Sequence, residues 1–195
     1  MKNWIRSLVC IGAVGGVVLG PWSEADAALN AYLKLKGQKQ GDIKGSVVRK
    51  GQEGAIAVIA VSHEIISPRD PASGLATGKR QHKPFTFTKE LDRSTPQLYK
   101  ALVTGEVLPE VELVVFSSSD KQSKTPIYTV KLSNATISAI RFVTPKDGPE
   151  AHEISLTYQN ITWTWVEGSI TADDDWEAPM AKPAPAPAPK PMPKK

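Results

Sequence analysis

The sequence predicts a mainly β domain: a closed or nearly closed β-barrel of two packed sheets, with one short α-helix on its flank. Three observations carry that expectation. Short segments such as AYLKLK (31–36) and FTFT (85–88) alternate apolar and polar residues with period two, the signature of half-buried strands. A single stretch, RSTPQLYKALVTG (93–105), carries a full set of helix signals. The run EISLTYQNITWTW (153–165) switches apolar parity midway, as strands that bend to close a barrel do.

In AYLKLK, Ala31, Leu33 and Leu35 share one face, and Tyr32, Lys34 and Lys36 the other. Residues 37–41, bounded by glycines, make a turn, and Ile43 to Arg49 reads as a short second strand. Ala55 to Val61, AIAVIAV, is apolar at every position, which predicts a strand covered on both faces. A long polar loop, SPRDPASGLATGKRQHKP (67–84), precedes the FTFT strand. In the helix, Ser94 or Thr95 caps the first amides and Pro96 suits the first turn. Leu98, Ala101 and Leu102 form its apolar stripe, and Gly105 ends it. Val111 to Phe116, Ile127 to Leu132 and Ala135 to Phe142 read as further strands. SSSDKQSKTP (117–126) and the Pro- and Gly-bearing stretch 144–152 read as loops. The parity switch in 153–165 places a bulge near Gln159–Asn160. The count comes to about eight strands.

The ends read differently from the body. Residues 1–27 carry Lys2 and Arg6, then an apolar run from Ser7 to Gly20, then the small residues Ala25 and Ala27, the pattern of a secretory signal cleaved after Ala27. The apolar run is too short for a stable membrane span. Residues 177–195 alternate Pro and Ala and end in lysines, a composition that favours an extended spacer. The domain thus spans 28–176.

Charge excludes one broad class of partner. The net charge of +4 is concentrated in the ends, and residues 28–176 hold 18 basic and 17 acidic side chains. A nucleic-acid surface needs a clustered basic excess, which this body lacks. The single cysteine, Cys10, permits no internal disulfide. His63, His82 and His152 lack metal-ligand spacing, and no cofactor is implied. Gly74 to Arg80 falls one residue short of a phosphate loop and has Arg80 where a hydroxyl should hold magnesium. No nucleophile elbow is present. Asp173–Asp175 lacks the spacing of a calcium loop and reads as a solvated charge run. Trp163 and Trp165 read as core or interface residues. A catalytic constellation is absent, so the expectation is a non-enzymatic protein.

Several ordered blocks resemble one family. AYLKLKGQKQGDIKGSV (31–47), SHEIISPRDPASGLATGKRQHKP (62–84), FTFTKELDRSTPQLYKAL (85–102) and YQNITWTWVEGSITADDDW (158–176) are similar to the Hcp family, the tube subunit of bacterial type VI secretion systems. The resemblance spans about Ala31 to Trp176. It implies a β-barrel with a flanking helix, and a homo-hexameric ring that stacks into a hollow tube. It also implies effector proteins carried in that tube and a tip protein at its end. The long loop 67–84 is then the expected subunit contact, with Arg69, Lys79, Arg80, His82 and Lys83 as contact residues. Helix residues 96–103 are expected to face the tube interior. Acids such as Glu106, Glu110 and Asp173–Asp175 are candidates for the complementary side of a head-to-tail contact. The signal-like N-terminus implies a secreted protein, periplasmic or extracellular. It leaves open an exported Hcp-like relative that acts as a periplasmic or surface scaffold.

Overall fold

The computed structural model describes residues 30–117, 125–144 and 150–178. The expected signal segment, the end of the Pro-rich tail and most of the 117–126 and 144–152 loops lie outside the described residues. Among the described residues twelve strands and one α-helix follow in chain order: β1 (Ala31–Gly37), β2 (Gly41–Ile43), β3 (Ile56–Val58), β4 (Ala60–Ser62), β5 (Ile65–Ile66), β6 (Gln81–His82), β7 (Phe85–Glu90), α1 (Thr95–Thr104), β8 (Val107–Val115), β9 (Tyr128–Val143), β10 (Ala151–Thr157), β11 (Asn160–Trp165) and β12 (Ile170–Asp175). The fold is mainly β, as expected. Ten of these strands form one antiparallel sheet, and β5 and β6 form a separate pair.

The main sheet runs β2-β1-β8-β9-β10-β7-β4, with β3 also on β1 and β11–β12 branching from β9. β3 pairs with β1 and β4 pairs with β7, and only Ile59 separates them in the chain. The Ile59 amide itself donates to the Thr88 carbonyl at 2.8 Å. The segment 56–62 therefore pairs with two strands, β1 and β7, that lie near opposite ends of the path.

Alternation in β1 is realised as read: Ala31, Leu33 and Leu35 are buried. They join Phe85, Phe87, Leu98, Leu132, Ile154, Leu156 and Ile161 in one core. α1 packs on β9, burying Leu98 and Ala101. Gly105 closes the helix at φ 59° and its amide donates back to Leu102.

Five local readings differ. Residues 44–49 form a loop rather than a strand, because Gly45 passes so close to the next segment that a Cβ there would lie 2.3 Å from the Ala55 carbonyl oxygen. The 55–61 run is not covered on both faces: Ile56 and Val58 point inward, whereas Ala57 and Ile59 are exposed. The two strands read on either side of Asn134 are one sixteen-residue strand, β9. Asn134 adopts φ 51° within it, a left-handed conformation that its short polar side chain tolerates. β8 starts four residues earlier than read, at Val107. Ser94 does not cap α1: its own backbone is helical, and its hydroxyl donates to Asp92.

The parity switch is realised as a break. β10 ends at Thr157 and β11 begins at Asn160. β11 lies against the first part of β9 (Tyr128 to Ser133), and β10 lies against the second (Thr136 to Val143). Tyr158 and Gln159, at the break, sit where β9 exchanges one neighbour for the other. The Asn134 side-chain amide donates to Gln159 Oε1 at 2.9 Å at this crossing.

Candidate functional site

Residues 63–84 form an ordered hairpin that extends beyond the main sheet. Lys83 N–H donates to the Glu64 carbonyl at 2.9 Å, Ile65 pairs with His82, and Ile66 with Gln81. Farther out, Thr77 N–H donates to Pro68, Arg69 bridges Ala76, and Asp70 N–H donates to Leu75 at 2.8 Å. Asp70 also accepts from the amide of Ser73 at 2.9 Å, which shapes the tip. Those bonds hold its carboxyl below the usual range, the Ser73 hydroxyl contributing most. Residues 71–79 are exposed throughout, and Leu75 at the tip is 69% exposed.

The five residues read as contacts divide between the tip, the root and the outer surface. Arg69 donates its guanidinium to the Gly74 carbonyl at 3.1 Å and braces the tip. Lys79 and Lys83 are exposed. Arg80 instead turns inward: two of its nitrogens donate to the Asp174 carboxylate, and Nη2 also donates to the Asp175 carbonyl at 2.6 Å. His82 turns inward too, its side chain 5% exposed, with Nε2 on Asp174 at 2.8 Å and Nδ1 on the Tyr158 hydroxyl at 2.8 Å.

Sequence reading missed this cluster. Asp173–Asp175 reads as a solvated run, yet it forms the end of β12, held against Asn160–Thr162 by cross-strand pairing. Alternation along β12 turns Asp174 toward the hairpin root. Burial raises the cost of ionising Asp174, but Arg80 and His82 outweigh it and hold the carboxyl below its ordinary value. A fifth member completes the set: His63 Nε2 lies 2.6 Å from the Tyr158 hydroxyl, and its ring packs 5.5 Å from that of Phe85. Burial, then the neighbouring His82, pushes the His63 imidazole below its ordinary value. Burial, then Asp174, pushes the Tyr158 phenol well up, so it stays protonated. Such a hydroxyl is a poor nucleophile.

Three of the candidate acids are therefore engaged within the chain, Asp175 by accepting from the Glu177 backbone amide at 3.0 Å. Asp174 holds the hairpin root. Glu106, 3% exposed, accepts from the amides of Lys39 and Gln40 at 2.7 and 2.8 Å and from the Gln40 side chain at 2.9 Å. Glu110 and Asp173 are exposed. On α1, Val103 is 79% exposed and Tyr99 is partly so. Among the described residues no three metal-ligating side chains converge, and no helix is long and apolar enough to cross a membrane.

A family model described as "Type VI secretion system effector, Hcp" matches residues 32–165. The chain belongs to the Hcp family. The Major exported protein of Pseudomonas aeruginosa is 35% identical over 170 residues, covering 79% of this chain and 99% of the relative. Among solved structures, Hcp1 of E. coli EAEC 042, in a doubly substituted form, matches with a TM-score of 0.70 and 38% identity, covering 76% of this chain and 99% of that one. The secreted protein Hcp3 of Pseudomonas aeruginosa matches with a TM-score of 0.62 and 30% identity, covering 75% and 99%. This Hcp chain is thus a type VI secretion protein of a secreted, structural family rather than an enzyme family.

Proposed function

We propose that this chain is a non-enzymatic tube subunit: copies close into hexameric rings, the rings stack, and the lumen carries effector proteins behind a tip protein. Membership of the Hcp family supports this reading, and the hairpin 63–84 is the single observation that carries it to particular residues. Head-to-tail ring contacts need a projection on one side of the subunit and a complementary patch on another. The hairpin offers the exposed Leu75 with Lys79 and Lys83. Glu110, Asp173 and the uncovered apolar face at Ala57 and Ile59 are candidates for the receiving side. Arg80 and His82 then serve the contact indirectly, by fixing the hairpin root. We read segment 56–62, which pairs with both β1 and β7, as the strand that closes the sheet into a barrel. On this reading α1 presents Tyr99 and Val103 to the lumen. Charge reversal at Lys79 and Lys83 together is expected to abolish rings in negative-stain images and in sedimentation at moderate salt. Unchanged rings would remove the hairpin from the contact.

A second reading rests on residues 1–27. Their secretory pattern supports an exported Hcp relative that acts outside the cytoplasm as a scaffold, with 177–195 as its spacer. Intact mass of the mature protein tests it: cleavage after Ala27 supports export by this route, and retention of residues 1–27 defeats it.

A further inference from the structure

The hairpin root is held by a hydrogen-bonded chain running Arg80–Asp174–His82–Tyr158–His63. Its proton inventory is fixed by chemistry. The Asp174 carboxylate only accepts, so His82 Nε2 carries a proton. With His82 neutral, its Nδ1 is then an acceptor and takes the Tyr158 O–H. The Tyr158 oxygen must in turn accept from His63 Nε2–H. Each of the three bonds then has one donor and one acceptor, and all three point one way, from His63 toward Asp174.

One added proton is tolerated. If His82 takes it at Nδ1, that nitrogen donates to Tyr158, the tyrosine O–H turns to His63, and His63 shifts its own proton to Nδ1. The chain between His63 and His82 reverses direction and stays complete. A second proton has no such solution. With both imidazoles cationic, Tyr158 faces two donors and its own O–H has no acceptor between them. Tyr158 is 7% exposed, so that O–H would be left buried and unpaired. Two cationic rings would also stand with centroids 6.4 Å apart.

We propose that this chain is an acid-sensitive latch that fixes the hairpin to the sheet, holding through one protonation and opening at the second. The groups that face the two histidines account for the sign. From β6 and its flanks come Arg80 and Lys83, both cationic. From β12 come Asp174, already bonded to Arg80 and His82, and the Asp175 carbonyl bonded to Arg80. From the end of β10 comes Tyr158, and from β7 the apolar ring of Phe85. Asp174 can compensate His82 but makes no bond to His63, and Glu64, next to His63 in the chain, is exposed to solvent, which screens its charge. His63 titrates below its ordinary value of 6.5, burial being the main cause. The sign follows: a base held low in the folded state supports the latch above that ordinary value, and its support is lost as pH falls through the lowered one.

The latch acts within one protomer and does not rest on ring formation. The test is hydrogen exchange of the full chain at pH 7.5 and pH 5, corrected for intrinsic exchange and run at two protein concentrations. Protection of residues 64–83 is expected to fall by about tenfold or more in acid, equally at both concentrations. β8 and β9 should remain protected. His63→Gln, whose amide can partner Tyr158 in either sense without taking a proton, should keep the hairpin protected at pH 5. Tyr158→Phe should lose protection at both pH values. Equal protection of the wild type at both pH values would overturn the latch. So would an equal acid loss in His63→Gln, a loss shared by β8 and β9, or a loss that depends on concentration.

Discussion

The carboxylate of Glu106 occupies the space that a side chain on Gly37 would need. A Cβ at residue 37 would stand 2.5 Å from Glu106 Oε1. The same oxygen accepts the Lys39 and Gln40 amides of the 38–40 turn, and the Gln40 side chain carries the turn on to the Gln97 carbonyl at the start of α1. Gly37→Ala is expected to displace Glu106 and cost about 1–3 kcal/mol. Glu106→Ala should cost a similar amount by leaving the turn amides unpaired. The double variant should cost less than the sum, because both changes disrupt one contact. Urea unfolding of the four proteins measures this.

Lys89 is 1% exposed, and its ammonium is satisfied by Asp92 at 2.8 Å, the Glu90 carbonyl at 2.8 Å and the Thr95 hydroxyl at 2.9 Å. Asp92→Ala strands a buried cation and is expected to cost about 3–5 kcal/mol; Lys89→Met with Asp92→Ala should recover most of it. Burial opposes the Asp92 charge, yet Lys89 and Ser94 hold its carboxyl below the ordinary 3.8. The sign follows for a depressed acid: its support is present above pH 3.8 and is lost as pH falls through the lower folded value. Acid unfolding of Asp92→Asn should lack that component.

Phe87 is fully buried on β7, between β4 and β10. Phe87→Ala is expected to cost about 3–5 kcal/mol by thermal or chemical denaturation. A smaller loss, near 1 kcal/mol, would mean that this part of the sheet repacks.

Leu75 at the hairpin tip tests the surface rather than the fold. Leu75→Ser should change unfolding free energy by less than about 0.5 kcal/mol. It is expected to weaken self-association measured by sedimentation, if the tip is the contact.

What was legible in the sequence follows from which forces are local. Alternation along 31–36 is a local pattern, and it placed Leu33 and Leu35 in the core correctly. Gly105 needed only its own backbone freedom to end α1. The 44–49 loop was illegible because Gly45 answers to Ala55, ten residues on. The apolar run 55–61 misled because Ile59 is apolar yet faces outward. Asn134 looked like a strand boundary, but β8 pairs with β9 on both sides of it, with β11 on the near part and β10 on the far part, and carries the strand through. Asp174 was unreadable as a structural residue, since its partners Arg80 and His82 lie more than ninety residues away.

The sixteen residues of β9 have a consequence for the order of events at synthesis. β1 finds its long partner only in β8, joining Ala31 to Val115, and β8, β10 and β11 all wait on β9. An N-terminal fragment that stops before Tyr128 thus lacks the strand on which β8, β10 and β11 register. Such non-local pairing delays folding until much of the chain exists. The growing polypeptide stays threadable while it emerges, and acquires its shape late and nearly all at once.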